Sequence, residues 1–258
     1  VPAVEIPALR MPLWGGHTVL REVFGEEELA AARRGQEAFY RGEVDLKPEF
    51  AWRKPRRTLA RSRKHPYASF YRSELAAIAR SAVLGERIAE VTGAKVVRFW
   101  HDQLLSEAPR RSRRVVDCHW HTERSRWKTC RCPLMVTAWI PLERVGAEMG
   151  PITMVEGSEK QPWIDVPEGW LPEVQAEQRV VIEPGDVSLH CWHTVHGNPP
   201  NWGKGPRRVM AVHFALGVLE YQRCGQFAHV NERVVGRLDG VPDFEDERVC
   251  PVVWRVEA

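Results

Sequence analysis

Residues 178–218 read QRVVIEPGDVSLHCWHTVHGNPPNWGKGPRRVMAVHFALGV. Short apolar and β-branched runs flank EPGD and HGNPPNWGKGP, clusters of Gly, Pro, Asn and Asp that turn the chain, so the stretch predicts strands joined by tight connections. The same texture reaches back to Gly93 through KVVRFWHDQLL (95–105), VVDCHWHT (115–122), PLMVTAWIPLE (133–143) and PITMVEGS (151–158). Many short strands with tight turns predict a mainly β sandwich or jelly roll.

Upstream of Gly93 the periodicity changes. EEELAAARRGQEAF (26–39) carries a helical pattern. In SELAAIARSAVLGERIAEVTG (73–93), Leu75, Ile78, Val83, Ile88 and Val91 recur at helical spacing, with Gly85 and Gly93 as punctuation. A chain of 258 residues is long enough for one well-filled core. The expected organisation is a single domain over 1–258: a helical part at 1–93, the β core at 94–218, and a mixed segment at 219–258 that covers the barrel mouth.

Composition narrows the function classes. The opening VPAVEIPALRMPLWGG has no basic-then-apolar signal pattern, and PLMVTAWIPL falls well short of the roughly 20 apolar residues that span a bilayer. The expectation is a soluble, cytoplasmic protein with no membrane partner. Six cysteines, at 118, 130, 132, 191, 224 and 250, form no CxxC pair, so buried thiols are expected rather than disulfides. The net charge is only +3, but WRKPRRTLARSRK (52–64) and RRSRR (110–114) concentrate positive charge, either as a solvated surface or as an approach for an anionic ligand.

The chemistry gathers in CHWHTERSRW (118–127), where two histidines and a glutamate occupy alternate positions. In a strand, His119, His121 and Glu123 would share one face. A rise of about 3.3 Å per residue sets the outer two about 13 Å apart, while metal ligands sit at about 2 Å, so at most two neighbours can share an ion. His119 with His121 offers no acid, and Asp117 with His119 reverses the order; His121 with Glu123 supplies one imidazole and one carboxylate. A further histidine can come from HTVHGNPPNW (193–202), where His193 and His196 both stand at the junction of strand and turn. Of the others, His17 and His65 are expected at the surface, and His101, His190 and His213 as hydrogen-bonded core residues. An early His–carboxylate pair meeting a late His is the layout of the 2-His-1-carboxylate triad, which leaves half the coordination sphere of Fe(II) open.

With these residues in view, most of the chain resembles the phytanoyl-CoA dioxygenase family of Fe(II)/2-oxoglutarate oxygenases. GHTVLREVFGEEELAAARR (16–34) looks like that family's opening, and RFWHDQLLSEAP (98–109) like the strand before its first metal motif. WHTE (120–123) stands for its WHxD, TAWIPLERVGAEMGPITMVEGS (137–158) for its WxAL…GP…PGSH segment, and EPGDVSLHCWHTVHGNPPNWGKGPRR (183–208) for its GD…H…N…R segment. The resemblance implies a double-stranded β-helix, a cupin-like jelly roll with flanking N-terminal helices. It implies Fe(II) held by His121, Glu123 and His196, with 2-oxoglutarate and O2 as cosubstrates. It also implies that Arg207, with Arg208 as the fallback, grips the far carboxylate of 2-oxoglutarate, and that Trp139 and Asn198 lie near that cosubstrate. A guanidinium suits this task because it is permanently charged and can make two parallel hydrogen bonds to one carboxylate. Gly150, Pro151, Gly157 and Ser158 are expected to shape turns at the rim.

This sequence departs from the family pattern at four places. Glu123 replaces the usual Asp, EGSE replaces PGSH, Glu107 stands where the family has a lysine, and Asn198 where it has a small hydroxyl residue. The resulting expectation is an oxygenase that hydroxylates, or otherwise oxidises, an unactivated C–H bond of a small anionic metabolite, releasing succinate and CO2. Arg124, Arg126, Trp127 and Gln103 are the candidate substrate contacts. The retained carboxylate at 123 points away from halogenation, since halogenating relatives carry a small residue there. Two other classes stay open: a non-catalytic cupin-like or zinc module using Cys118, His119, Cys130 and Cys132, and an oxygenase directed at nucleic acid through the basic clusters. The small-molecule reading is the expectation, with no nucleic-acid partner.

Overall fold

The computed structural model describes residues 15–50, 52, 62–110, 118–161, 165, 166, 170, 172, 177–180, 182–224 and 230–257. Most of the two basic runs, and Asp117, lie outside the described residues.

Three helices precede the β core: α1 (Glu26–Arg41), α2 (Ser73–Ala79) and α3 (Ala82–Thr92). The 73–93 stretch breaks at Arg80 and Ser81, not at Gly85. The Ser81 hydroxyl accepts the Leu84 N–H at 3.2 Å and starts a new helix. That break resets the helical phase, so Leu84 is buried while Val83 and Val91, part of the helical spacing read from the sequence, are 54% and 36% exposed. Gly85 sits inside α3 because a Cβ there would come within 2.8 Å of Trp254 Cβ.

The strands are β1 (His17–Leu20), β2 (Arg63–Pro66), β3 (Val96–Glu107), β4 (Cys130–Arg131), β5 (Leu134–Pro141), β6 (Thr153–Val155), β7 (Glu177–Arg179), β8 (Val187–Cys191), β9 (His196–Gly197), β10 (Arg207–Leu216), β11 (Glu220–Tyr221), β12 (Arg237–Leu238), β13 (Val241–Pro242) and β14 (Val252–Arg255). A seven-stranded sheet runs β1-β8-β5-β10-β3-β14, with β2 also paired to β3. A second sheet runs β7-β6-β9, and short ribbons join β4 to β11 and β12 to β13. The pairings are antiparallel.

Strand alternation gives the large sheet two different faces. One presents Leu104, Val136, Ala138, Ile140, Val187, Leu189, Met210 and Val212 to the helices, in a core shared with Leu29, Phe39, Leu75, Ile78, Leu84 and Ile88. The other turns Trp139 and Val209 toward Ile152, Met154, Val180 and Ile182 of the small-sheet side, with Leu105 and Val19 packed against them. Two sheets closing on this second face make the mainly β jelly-roll architecture. The segment beyond 218 adds β14 to the edge of the large sheet and packs Phe244 edge-on against Trp100, with ring centroids 4.8 Å apart. Among its described residues none lines the cavity of the second face. All six cysteines are free, and no helix among the described residues is long and apolar enough to cross a membrane.

Candidate active site

The 118–127 stretch is not the strand that its alternation suggests. His119 has φ +48°, in the left-handed region, and only His121 is paired, in an isolated antiparallel bridge with His196. Beyond it the chain turns: Arg126 N–H donates to Glu123 O at 2.9 Å, and Ser125 bonds both the Thr122 hydroxyl and carbonyl. Alternation therefore does not place Glu123; the turn does, carrying its longer side chain back toward the bridge.

Three ligand atoms converge there. Those of His121, Glu123 and His196 lie within 4.8 Å of one another, and no other group of three or more His, Cys, Asp or Glu among the described residues does so. Glu123 Oε1 is 3.8 Å from His121 Nε2 and 3.6 Å from His196 Nε2. Each imidazole is oriented from behind: His121 Nδ1 faces His119 O at 2.7 Å and His196 Nδ1 faces Thr194 O at 2.9 Å. A carbonyl can only accept, so each Nδ1 carries the proton and each Nε2 presents a lone pair to the shared point. Burial opposes ionisation of Glu123, but the two imidazoles facing it hold its carboxyl well below the usual range. Burial, then the neighbouring His196, pushes the His121 imidazole down. The triad thus brings together one carboxylate and two imidazoles, a donor set suited to a divalent transition metal. Glu123 Oε2 is buried with no partner among the described residues, as a second oxygen beside a metal would be.

The triad opens onto a cavity of 490 Å³ between the sheets. Of the residues singled out in the sequence, His121, Glu123, His196, Arg207, Trp139, Asn198, Gln103 and Arg126 line it. Two do not. Arg124 stacks its guanidinium 4.7 Å over the Trp192 ring and donates to Trp127 O, while Trp127 is buried edge-on to His213 at 4.6 Å. The turn that delivers Glu123 swings these two side chains away from the cavity. His193 packs on Trp192 and is not a ligand. Cys118, His119, Cys130 and Cys132 form no ligand group, and the zinc reading has no site among the described residues.

Alternation along β10 turns the two arginines to opposite faces. Arg207, Val209, Ala211 and His213 face the cavity, whereas Arg208 points out to Glu37 at 3.1 Å and Glu143 at 3.8 Å. Arg207 is nearly sealed: Nη1 donates to Met149 O at 2.9 Å, to Gly150 O and to Pro199 O at 3.0 Å, and Nη2 to Glu107 Oε2 at 2.5 Å.

Three cavity residues were not placed at the site by the sequence reading: His213 and His190, expected in the core, and Lys64, read only within the basic run 52–64. His213 and His190 are buried but face the cavity across Thr137, their strands in register. His213 Nδ1 lies 2.9 Å from the Thr137 hydroxyl, and the His190 ring, centroid 4.2 Å from His196, has no hydrogen bond from a described residue. Burial pushes the His213 imidazole down to about 4 and the His190 imidazole well below its ordinary value. The signal for His213 was available, because an inward Arg207 places every second residue of its strand inward. Lys64, at an exposed position of β2, also lines the cavity; desolvation by the surrounding walls, then Arg126 beside it, lowers its ammonium pKa. Neither Lys64 nor Arg126 forms an ion pair with a described residue.

No curated protein sequence matches the chain. Among solved structures, the non-heme alpha ketoglutarate dependent epimerase SnoN from nogalamycin biosynthesis superposes with TM-score 0.70 at 18% identity, covering 93% of this chain and 95% of its own. The carbocyclase SnoK of the same biosynthesis gives 0.69 at 21%, covering 98% and 97%. EctD from S. alaskensis, with 2-oxoglutarate and 5-hydroxyectoine, gives 0.60 at 17%, covering 79% and 73%. Identities this low speak to the fold. The phytanoyl-CoA dioxygenase family model, however, matches residues 15–209, more than half of the sequence, and the chain belongs to that family of iron- and 2-oxoglutarate-dependent oxygenases.

Proposed function

We propose that this enzyme oxidises an unactivated C–H bond of a small anionic or carboxylate-bearing metabolite, hydroxylation being the simplest outcome. The observation that carries the reading is the convergence of His121, Glu123 and His196 at the wall of a cavity that also holds Arg207, Lys64 and Arg126. The donor set fits Fe(II): two imidazole nitrogens and one carboxylate oxygen on one side, with the cavity on the other. When bound there, iron with 2-oxoglutarate and O2 supplies the oxidising power for C–H cleavage, with formation of succinate and CO2.

The protein's own part is binding and orientation. The carbonyls of His119 and Thr194 fix the two imidazole tautomers. Arg207 holds the far carboxylate of the cosubstrate, with Trp139 and Asn198 beside it. Arg126, Lys64 and Gln103 face the substrate, the two cations supplying an attraction that salt weakens. The apolar walls, Leu105, Ile152 and Val209 among them, limit water around the reacting centre.

The test is incubation of the iron-loaded protein with 2-oxoglutarate and pooled metabolites, following succinate and the mass of each metabolite. Gain of one oxygen identifies hydroxylation and loss of two hydrogens identifies desaturation or ring closure. Succinate formed with no mass change in a consumed metabolite identifies epimerisation, the activity named for SnoN. No succinate with any pool refutes the reading. For the anionic substrate, Arg126→Ala is expected to weaken binding in a salt-dependent manner and Arg124→Ala to leave it near wild type; equal effects would remove the case for Arg126.

A further inference from the structure

Glu107 ends β3 directly opposite Arg207, which begins β10, and both side chains line the cavity. Glu107 Oε2 is 2.5 Å from Arg207 Nη2, and Oε1 is 3.8 Å from Arg110 Nε. Arg207 Nη1 is already directed at three backbone carbonyls. A guanidinium has five N–H groups. The two on Nη1 and one on Nη2 are engaged by the protein, leaving the Nε proton and one Nη2 proton for a ligand. The charge itself is met by a carboxylate of the chain. The Arg207 side chain is 6% exposed and that of Glu107 26%, so the acid is the more accessible member of the pair.

We propose that Glu107 is an internal carboxylate that competes with the distal carboxylate of a 2-keto acid for Arg207, and so lowers the site's preference for dicarboxylic over monocarboxylic keto acids. The inference rests on the reading of Arg207 as the cosubstrate anchor. A dicarboxylate entering the site brings a second negative charge close to Glu107, where screening is weaker than in bulk water. A keto acid without that second carboxylate meets no such repulsion. A residue that only braced Arg207 would have the opposite signature, since its loss would free the guanidinium to move and weaken dicarboxylate binding.

The experiment is an anaerobic titration of the Fe(II)-loaded enzyme with 2-oxoglutarate and, separately, with 2-oxobutyrate, reading the visible absorption that appears when a keto acid chelates iron. Glu107→Gln removes the charge and keeps an acceptor for Arg207; its iron affinity, read by chelator competition, reports that the barrel is folded. The expected result is a dissociation constant about tenfold lower for 2-oxoglutarate, with that for 2-oxobutyrate changed by less than about twofold. An unchanged ratio between the two ligands, or weaker binding of 2-oxoglutarate, overturns the inference and leaves the oxygenase reading standing. Absence of the band with both ligands in the wild-type enzyme overturns both.

Discussion

His121 and His196 face each other across a single antiparallel bridge: each backbone N–H donates to the other's carbonyl at 3.0 Å, and the ring centroids are 4.4 Å apart. Two segments distant in sequence are therefore clamped by their backbones at the point where their side chains must meet. Replacing either imidazole removes a candidate metal ligand without breaking the clamp. His121→Ala and His196→Ala are each expected to weaken Fe(II) or Ni(II) binding by more than about 100-fold while the protein stays folded. Isothermal titration with Ni(II) reads this, and near wild-type affinity in either variant would exclude that histidine as a ligand.

Gly197 follows the distal histidine where the chain passes against Cys118. A Cβ at 197 would lie 2.3 Å from Cys118 O, a backbone atom that cannot turn aside. Gly197→Ala must push β9 away from the 118–121 segment and open the bridge. The expected cost is about 1–3 kcal/mol in urea unfolding, as for other overpacking substitutions, together with a loss of metal affinity. Unaltered metal binding in this variant would show that the bridge is not what aligns the triad.

Arg207 and Arg208 differ by one position and by their entire surroundings. Arg207→Ala strands Glu107 and deprives the carbonyls of Met149, Gly150 and Pro199 of a donor, an expected loss of about 3–5 kcal/mol. Arg208 makes partly exposed pairs with Glu37 and Glu143, and Arg208→Ala should cost no more than about 1 kcal/mol. Parallel denaturant unfolding of the two variants makes the comparison, and similar losses would contradict the assignment of Arg207 to the interior.

Asp102 is fully buried on the helix side of β3, where its carboxylate accepts from the Ser69 hydroxyl at 3.1 Å and N–H at 3.3 Å. Burial outweighs these bonds and raises its pKa to about 6. A folded-state pKa above the unfolded value means that the folded protein binds this proton more tightly. The associated stability is present below about pH 4 and lost as the pH rises to about 6, by roughly 3 kcal/mol. Asp102→Asn does not titrate, so its stability relative to wild type is expected to climb across that window. A difference that stays constant between pH 4 and 7 would refute this account.

Much of the candidate site could be proposed from local sequence because the relevant chemistry is local: side chains able to bind a metal in WHTE, turn residues in EPGD and HGNPP, and a permanently charged arginine at a fixed interval beyond His196. Short β-branched runs bounded by Gly and Pro specify strands whatever their partners, and the mainly β class followed from them. Other features depended on contacts with distant parts of the chain. The helical stretch at 73–93 split at Ser81 because a side-chain cap outweighed the continuous periodicity. The 118–127 stretch turned after His121 because its pairing partner, β9, is only two residues long. Lys64 and His190 joined the cavity through strand pairings that no local pattern encodes. Sequence alone determined which residues have the chemistry to hold a metal and an anion. Only the tertiary structure decided which of them share one cavity, because that depends on register across strands, where a shift of one residue turns each side chain to the opposite face.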